Sequence, residues 1–378
     1  MRVIFTCGGT GGHINPAIAV ANLVRQHQPD AEILFVGADD GMEKQLVPRE
    51  GYRLECVKIS NFQRSFTPKA IVHNLITAKN IVAACRKADK IIKEFKPDVI
   101  LGTGGYASFP ALRQGTKRKI PTAVHESNAV PGLATRLVAD DVSRVLVPFE
   151  ECRKQYRNPD RVVVTGTPVR EEFIFNEKEK AKQQLGLTDK PLVVSYWGSL
   201  GAREMNKKIA DMMALEQADE AFYHIHATGS YGWRWMPEYV KERGVDLQAH
   251  PSIDMREYIY DMPLLMAAAD VVICRAGAST ISEVAASATP AIFIPSPNVT
   301  DNHQEKNARI LEQRKAAVVI READCDGAVL FREVKALLGD PARCKAMEKA
   351  LREMAVLDAT ERIYRTIESL AKEQNKET

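Results

Sequence analysis

Short apolar runs alternate with segments of helical periodicity along the whole chain. In the first half the runs are residues 3–7, 33–36, 99–101, 122–124, 145–147 and 162–164. After residue 170 they are residues 192–197, 224–226, 271–274, 291–294 and 317–320. Near-continuous apolar runs separated by helices are typical of parallel strands that are covered on both faces. The pattern predicts an α/β fold with two doubly wound parallel sheets.

The first helix follows a glycine-rich stretch at residues 8–12. We predict Asn15 as its N-cap and Pro16 as its first helical residue, because these residue types favour those two positions. Apolar residues then recur with the spacing i, i+3, i+4 and i+7, at Ala17, Val20, Ala21 and Val24. This spacing predicts one buried face on the helix.

The length of the chain predicts two domains. Its 378 residues exceed the roughly 250–300 at which a single hydrophobic core stops growing. Each half also opens with a strand, a glycine loop and a helix. We expect a first domain at 1–168 and a second at 169–354, with the join at residues 166–170. A last helix at about 360–372, within the segment 355–375, is expected to return to the first domain.

Two function classes are not expected from the composition. No run approaches the ~18 apolar residues of a spanning helix, and the start of the chain lacks the roughly 7–15-residue apolar core of a signal peptide. The chain has seven cysteines and no C-x-x-C pair. We therefore expect neither an integral membrane protein nor a secreted one, and we expect the cysteines to be small buried residues in a reducing cytoplasm.

The charge of the chain is concentrated in one segment. Residues 58–119 contain thirteen basic and three acidic residues, a local charge of +10 in a chain of net +3. Such a segment suggests an anionic partner, which could be lipid, phosphate or nucleic acid. A helix is predicted at residues 69–93, with lysines and arginines around its apolar residues. Either this helix forms an interfacial patch on a membrane, or it is an ordinary amphipathic helix packed on the sheet.

Three glycine turns follow predicted strands, at residues 8–12, 102–105 and 198–201. The first starts like the dinucleotide fingerprint but has Ile14 where the last glycine is required, and no Walker lysine follows it. One such loop could be a purely structural turn. Three loops, each at the carboxyl end of a strand and before a helix, favour ligands that carry a diphosphate.

Seven motifs in series resemble the MurG family of peptidoglycan glycosyltransferases. They are the Gly-Gly-Thr-Gly-Gly-His of 8–13, Gly-Gly-Tyr-Ala-Ser of 104–108, His-Glu-Ser-Asn of 125–128, Gly-Thr-Pro-Val-Arg of 166–170, Gly-Ser-Leu-Gly-Ala of 198–202, Cys-Arg-Ala-Gly-Ala-Ser-Thr-Ile-Ser-Glu of 274–283, and Asp-Asn-His-Gln of 301–304 with Asn307. The resemblance covers residues 2–320. It implies a GT-B fold, in which two Rossmann-like doubly wound domains enclose an interdomain cleft.

The resemblance also implies an activity. Members of the family transfer N-acetylglucosamine from UDP-GlcNAc to lipid I, the undecaprenyl-diphosphate-linked muramoyl pentapeptide, giving lipid II through a β1,4 bond formed with inversion. They need no cofactor, act as peripheral enzymes on the cytoplasmic face of the bacterial cell membrane, and do not bind nucleic acid. Another GT-B transferase, a UDP-GlcNAc 2-epimerase and a non-catalytic nucleotide-sugar module remain as alternatives. The chain departs from the family pattern at Trp197 and Phe109.

His13 is the candidate catalytic base, since a neutral imidazole could accept the proton of the attacking hydroxyl near pH 7. It could instead contact a phosphate or serve the fold alone. The resemblance implies that Thr10, Gly11 and Gly12 contact the donor. It also implies that Gly104, Gly105 and Tyr106 contact the acceptor diphosphate.

Glu283 resembles the family residue that binds the ribose hydroxyls of the donor. Its alternative is structural, because residues 280–283 spell a capping box. The resemblance further implies that the turn of Ala278, Ser279, Thr280, Ile281 and Ser282 presents backbone N–H groups to the nucleotide. The other implied donor contacts are Arg170, Ser199, Ile259 beside the uracil, and Asn128 and Gln304 at the sugar. Each of these residues could instead have no role in binding, as an exposed arginine, a turn serine, a core isoleucine and two surface amides.

Asp324 and Asp326 form an Asp-x-Asp sequence that holds a metal in a different glycosyltransferase fold. Here it follows a strand beyond the matched motifs, and Asp326 suits a helix N-cap. We therefore expect no metal site, and expect loop amides, Arg170 and a helix dipole to stabilise the leaving UDP.

Overall fold

The computed structural model describes residues 1–60, 67–187 and 189–377. These residues form two compact units. One is Met1–Pro168 together with the segment from Val356 onward, and the other is Val169–Ala355. In the described part of the chain, no helix is both long enough and apolar enough to cross a membrane.

The first unit contains a seven-stranded parallel sheet with the order β3-β2-β1-β4-β5-β6-β7. Its strands are β1 (Arg2–Thr6), β2 (Glu32–Ala38), β3 (Arg53–Val57), β4 (Val99–Gly102), β5 (Thr122–His125), β6 (Arg144–Val147) and β7 (Val162–Val164). Its helices are α1 (Gly11–His27), α2 (Glu43–Arg49), α3 (Pro68–Phe95), α4 (Ser108–Lys117), α5 (Leu133–Arg136) and α16 (Ala359–Glu377).

The second unit contains a six-stranded parallel sheet with the order β10-β9-β8-β11-β12-β13. Its strands are β8 (Leu192–Tyr196), β9 (Tyr223–Ala227), β10 (Ile253–Arg256), β11 (Val271–Cys274), β12 (Ala291–Phe293) and β13 (Val318–Val319). Its helices are α6 (Glu172–Phe175), α7 (Lys178–Leu185), α8 (Arg203–Asp219), α9 (Ser230–Trp233), α10 (Met236–Glu242), α11 (Met262–Ala268), α12 (Ala278–Ser287), α13 (His303–Gln313), α14 (Gly327–Leu338) and α15 (Pro341–Met354). The predicted α/β class with two parallel sheets is confirmed.

The core of the first unit lies between its sheet and the helices α1 and α16. The rings of Phe5 and Phe35 stack with centroids 5.3 Å apart. Ile363 and Ile367 of α16 are buried in the same cluster, and full burial of such a side chain is worth about 1.5–3 kcal/mol. Apolar burial thus joins the last helix to the first unit.

In each sheet the strand order reverses next to the first strand of the unit. The reversal lies between β1 and β4 in the first sheet and between β8 and β11 in the second. Ligands of open α/β sheets bind at the carboxyl ends of strands beside such a reversal. The first two glycine turns follow β1 and β4, and the third follows β8, so all three lie at these positions.

The structure corrects three local predictions. Helix α1 begins at Gly11, with Thr10 as its N-cap, so Asn15 and Pro16 lie inside the helix. The edge strands β3 and β10 were missed. The cysteines are all free as expected, but Cys56, Cys85 and Cys344 are half-buried rather than buried.

Candidate active site

The first glycine turn, residues 8–12, runs directly into helix α1. Thr10 is extended, and its carbonyl accepts the N–H groups of His13 and Ile14 at 3.0 and 3.2 Å. Gly11, Gly12 and His13 are therefore the first three helical residues. The first N–H groups of a helix have no acceptor inside it and carry a positive partial charge. This end of α1 can accept an anion.

His13 is held by Thr103 of the second glycine turn. Its Nδ1 lies 3.1 Å from the Thr103 carbonyl, and the Thr103 hydroxyl donates to the His13 carbonyl at 2.6 Å. A carbonyl oxygen only accepts, so Nδ1 carries the proton. The neutral ring then has its lone pair on Nε2, which is the tautomer that a general base requires.

Gly104 and Gly105 bring the second glycine turn against the first. Both have positive φ, 95° and 77°. A Cβ on Gly104 would lie 2.7 Å from Nδ1 of His13, and one on Gly105 would lie 2.2 Å from the carbonyl oxygen of Gly8. Any larger residue at Gly104 would displace the imidazole. These glycines thus have a structural reason to be present, whether or not they contact a diphosphate.

A buried carboxylate that the sequence analysis missed, that of Glu43, is hydrogen-bonded to the backbone of the first glycine turn. Glu43 is fully buried, and its Oε1 accepts the N–H groups of Ala38 at 2.9 Å and Gly9 at 3.3 Å. The N–H of Gly9 is therefore directed to this carboxylate. Glycines at 37 and 41 leave the space that the Glu43 side chain fills. These two glycines so close to Glu43 in the sequence were a sign that its side chain could be buried there.

Asn128 follows β5 and is bound to the neighbouring Glu126. The Glu126 carboxylate accepts from the Asn128 backbone N–H at 3.1 Å and from its Nδ2 at 3.0 Å. It also accepts from the Gly132 N–H at 3.0 Å and the Thr135 hydroxyl at 2.7 Å. The amide of Asn128 is thus oriented by a buried carboxylate whose role the sequence analysis did not foresee.

In the second unit, helix α12 begins where β11 and its loop end. Its N-cap is Gly277, with no side-chain cap, so residues 280–283 are not a capping box. The N–H of Ile281 donates to the Gly277 carbonyl at 2.9 Å, and the Ser282 hydroxyl donates to the Ala278 carbonyl at 3.1 Å. The prediction that the turn presents N–H groups as far as Ser282 was therefore wrong for Ile281. The helix start offers those of Ala278, Ser279 and Thr280.

Glu283 lies in the second turn of this helix. Burial raises the pKa of its carboxyl to about 7, and the positive charge of Arg170 opposes that rise. Arg170 itself is exposed, with its guanidinium 5.1 Å from the centroid of the Phe173 ring. The structure thus brings the predicted donor residues Glu283 and Arg170 within electrostatic reach of one another.

The remaining predicted donor residues lie at the carboxyl ends of other strands. Ser199 follows β8 and is exposed, whereas Ile259 follows β10 and is 3% exposed. Gln304 is the second residue of α13, and its Oε1 accepts the N–H of Ser296 at 2.9 Å. The carbonyl of Gln304 is therefore used in holding the loop after β12.

The Asp-x-Asp sequence has structural partners. Asp326 is the N-cap of α14 and accepts the Val329 N–H at 2.7 Å, as predicted, and Asp324 accepts from Arg321 Nε at 2.7 Å. Within residues 1–60, 67–187 and 189–377, no group of three or more His, Cys, Asp or Glu side chains could hold a metal ion.

Known proteins resemble this chain over its full length. The glycosyltransferase family 28 N-terminal domain matches residues 3–147, and the C-terminal domain of that family matches residues 193–363. The UDP-N-acetylglucosamine–N-acetylmuramyl-(pentapeptide) pyrophosphoryl-undecaprenol N-acetylglucosamine transferase of Acetivibrio thermocellus is 41% identical over 373 residues, 98% of this chain and 99% of that protein. The protein of the same name from Caldanaerobacter subterraneus is 41% identical over 371 residues, 98% of this chain and 100% of that protein.

Solved structures give the same result for the fold. The crystal structure of MurG from Acinetobacter baumannii superposes with a TM-score of 0.79 at 26% identity, over 97% of this chain and 99% of that one. A UDP-GlcNAc 2-epimerase from Neisseria meningitidis superposes with a TM-score of 0.65 at 13% identity, over 98% and 100%, which shows a shared fold only. The chain therefore belongs to glycosyltransferase family 28 and, within it, to the MurG family of N-acetylglucosamine transferases.

Proposed function

We propose that this protein transfers N-acetylglucosamine from UDP-GlcNAc to the 4-hydroxyl of the muramoyl sugar in lipid I, giving lipid II with inversion at the anomeric carbon. The observation that carries the proposal is the 41% identity to proteins named for this reaction, over nearly the full length of both chains. The arrangement of side chains in each unit supports it.

The second unit is proposed to bind the donor. The ionised carboxylate of Glu283 would accept hydrogen bonds from the two ribose hydroxyls. Backbone N–H groups of Ala278, Ser279 and Thr280 would face the diphosphate, together with Arg170 and the hydroxyl of Ser199. Ile259 would pack beside the uracil, and Gln304 would contact the sugar.

The first unit is proposed to supply the base and bind the acceptor. Nε2 of His13 would take the proton of the 4-hydroxyl as its oxygen attacks the anomeric carbon. The bond from that carbon to the diphosphate breaks, and UDP leaves with the bonding electrons. Thr10, Gly11 and Gly12 at the start of α1, with Asn128, would contact the donor on this side, and Gly104, Gly105 and Tyr106 the acceptor diphosphate. The helix dipole at the start of α12 and Arg170 would stabilise the developing negative charge on UDP.

The N-terminal half of α3 is proposed to meet the membrane. Ile71, Val72, Leu75, Ile76 and Val82 are each more than half exposed, with Leu75 at 68%. By contrast, Ala84, Ala88, Ile91, Ile92 and Phe95 of the same helix are buried. The second half of the helix therefore packs on the fold, whereas the first half leaves apolar side chains exposed. An exposed apolar face of this size favours an interfacial role for the first half.

The basic residues around this face divide into two groups. Arg118 and Lys93 are paired with Asp89 at 2.6 and 3.0 Å, so their charge is partly neutralised within the fold. Lys79, Arg86 and Lys117 are exposed, and none makes an ion pair with another described residue. Each unpaired basic residue close to an anionic bilayer is worth about 1 kcal/mol. We propose that this surface places the enzyme at the cytoplasmic face of the membrane, where its lipid acceptor is anchored, and that nucleic acid is not its anionic partner.

The test is to incubate the purified protein with labelled UDP-GlcNAc and lipid I and to follow the label. Transfer to the lipid, abolished when lipid I is omitted, is the expected outcome. Release of free N-acetylmannosamine would instead indicate a 2-epimerase. Transfer only to a different acceptor would favour another transferase of the same fold.

A further inference from the structure

A buried chain of polar side chains runs through the second unit, from helix α8 to the turn after β9. Its members are Glu216 and Asn206 on α8, Ser195 on β8, and His224 and His226 on β9, none more than 4% exposed. The contacts in order are Glu216 Oε2 to His224 Nδ1 (2.9 Å), His224 Nε2 to Ser195 Oγ (2.7 Å), Ser195 Oγ to His226 Nδ1 (2.6 Å) and His226 Nε2 to Asn206 Oδ1 (3.2 Å). Asn206 Nδ2 then donates to the Thr228 carbonyl at 2.8 Å. The proposed reaction uses none of these groups.

The donor and acceptor of each hydrogen bond in this series can be assigned from its Thr228 end. A backbone carbonyl can only accept, so Asn206 turns its Nδ2 to Thr228 and its Oδ1 to His226. The amide oxygen also only accepts, so Nε2 of His226 must carry a proton.

His226 is neutral, because its complete burial holds its pKa well below the usual value. Its Nδ1 is therefore an acceptor and takes the hydroxyl proton of Ser195. That hydroxyl has one proton only, so its oxygen must accept from Nε2 of His224.

His224 is thereby left with a donor on Nε2 while its Nδ1 faces the Glu216 carboxylate. Glu216 makes no other ion pair with a described residue, and burial of an uncompensated carboxylate is strongly unfavourable. A proton must therefore lie between His224 Nδ1 and Glu216 Oε2, and their separation of 2.9 Å is that of a charge-assisted hydrogen bond from an imidazolium to a carboxylate. We propose that His224 is a buried imidazolium ion paired with Glu216, and that the one-way hydrogen-bond chain it starts is a positioning device for the glycine turn at residues 198–201.

The series of hydrogen bonds ends at Thr228, which lies next to the glycine turn at residues 198–201. A Cβ on Gly201 would be 2.0 Å from the Thr228 carbonyl oxygen, and one on Gly229 would be 2.1 Å from the Gly201 nitrogen. The N–H of Ser230 donates to the Ser199 carbonyl at 3.1 Å. The orientation of the Thr228 peptide thus sets the position of Ser199. This consequence for donor binding rests on the proposed function, in which Ser199 contacts UDP-GlcNAc.

The protonation state is tested by side-chain nitrogen NMR of the full-length protein at neutral pH. We expect His224 to show protons on both ring nitrogens and His226 to show one on Nε2 only. A bare nitrogen on the His224 ring would overturn the assignment, and this result does not depend on what the protein binds.

The positioning role is tested by UDP calorimetry on variants. S195A interrupts the chain and should weaken UDP binding about tenfold, ~1.4 kcal/mol. E216Q should bind UDP like the wild type while His224 loses its extra proton, since the amide group introduced by this substitution can donate to Nδ1 and preserve the chain. The surface pair His250–Glu220, 2.7 Å apart, provides the matched control E220Q, which should change neither quantity.

Two outcomes contradict the positioning role, and a third contradicts the proposed function. A folded S195A with unchanged UDP affinity would leave the chain a stability element only. Loss of UDP binding in E216Q with a retained fold would show that the charge, not the connected chain, is required. A wild-type protein that does not bind UDP would defeat the proposed function while the NMR result still decides the protonation state.

Discussion

His13 and Thr103 are joined by two reciprocal hydrogen bonds, one from each side chain to the backbone carbonyl of the other residue. They link the start of α1, the helix that follows β1, to the residue directly after β4, and the sheet order reverses between β1 and β4. The pair fixes both the orientation of the imidazole and the nitrogen that carries its proton. With its proton on Nδ1, the neutral ring keeps Nε2 as an acceptor, which the proposed role of His13 as a general base requires.

His13→Ala is expected to lower kcat by about 10²–10⁴-fold, the usual contribution of a general base, with little change in UDP-GlcNAc affinity. Steady-state kinetics and donor calorimetry separate the two quantities. Near-normal turnover with weakened donor binding would instead favour the phosphate-contact interpretation.

Gly104→Ala is expected to lower kcat by displacing the His13 ring, because the added Cβ would lie 2.7 Å from Nδ1. The position also has a φ of 95°, which costs any L-residue about 1–2 kcal/mol. Gly244→Ala is the matched control, since its φ is 74° and nothing lies within 4 Å of the added Cβ. Equal losses in activity from both variants would attribute the effect to backbone strain.

The sequence predicted the central strands of both sheets and missed β3 and β10. The central strands are continuous apolar runs because helices cover both of their faces. The two missed strands each form one edge of a sheet, and their sequences, Arg-Leu-Glu-Cys-Val and Ile-Asp-Met-Arg, mix apolar with charged residues. At an edge the local pattern is weak, and pairing with β2 and β9 decides the structure.

The motifs of the candidate site could be read from the sequence, but the local geometry around them could not. Asn15 and Pro16 fit the start of a helix, yet Thr10 is the N-cap because the extended Thr10 lets its carbonyl accept the first helical bonds. The supporting carboxylates Glu43 and Glu126 act on backbone N–H groups that only the folded chain brings to them. Gly37 and Gly41 marked the space for the Glu43 side chain, but the sequence did not identify the N–H groups that either carboxylate accepts.

UDP affinity is expected to rise with pH through about 7, because the Glu283 carboxyl must be ionised to accept two hydrogen bonds and its pKa is raised to about 7. At one pH unit below that value about a tenth of the carboxyl is ionised, so binding should be about tenfold weaker than well above it. Calorimetry across this range should show a weaker pH dependence for Glu283→Gln than for the wild type, and the slope that remains is due to UDP itself.

The raised pKa of Glu283 affects the free energy of unfolding in the opposite direction to UDP affinity. Between the ordinary value of 4.5 and about 7, the folded state holds a proton that the unfolded chain has lost. Stability should therefore fall as pH rises through this range, and Glu283→Gln should remove that part of the dependence in urea titrations. An unaltered pH profile for the variant would mean that the carboxyl titrates normally.

Reversal of Lys79, Arg86 and Lys117 to Glu is expected to weaken binding to anionic vesicles and to slow transfer to lipid I in those vesicles. A soluble short-chain acceptor should react normally, because the site residues are untouched. The control reverses Lys241, Arg332 and Lys345, three exposed basic residues of the second unit, and changes the net charge equally. Sedimentation with vesicles and parallel assays on both acceptors provide the data, and equal loss on the two acceptors would exclude the membrane role.

The most direct measurement is the fate of the sugar when the wild-type protein meets labelled UDP-GlcNAc and lipid I. We expect one UDP to be released for each lipid-linked disaccharide formed, and NMR of the new linkage should show a β1,4 bond and thus inversion at the anomeric carbon. UDP released together with free N-acetylmannosamine, an α-linked product, or no transfer to the lipid would contradict the proposed function.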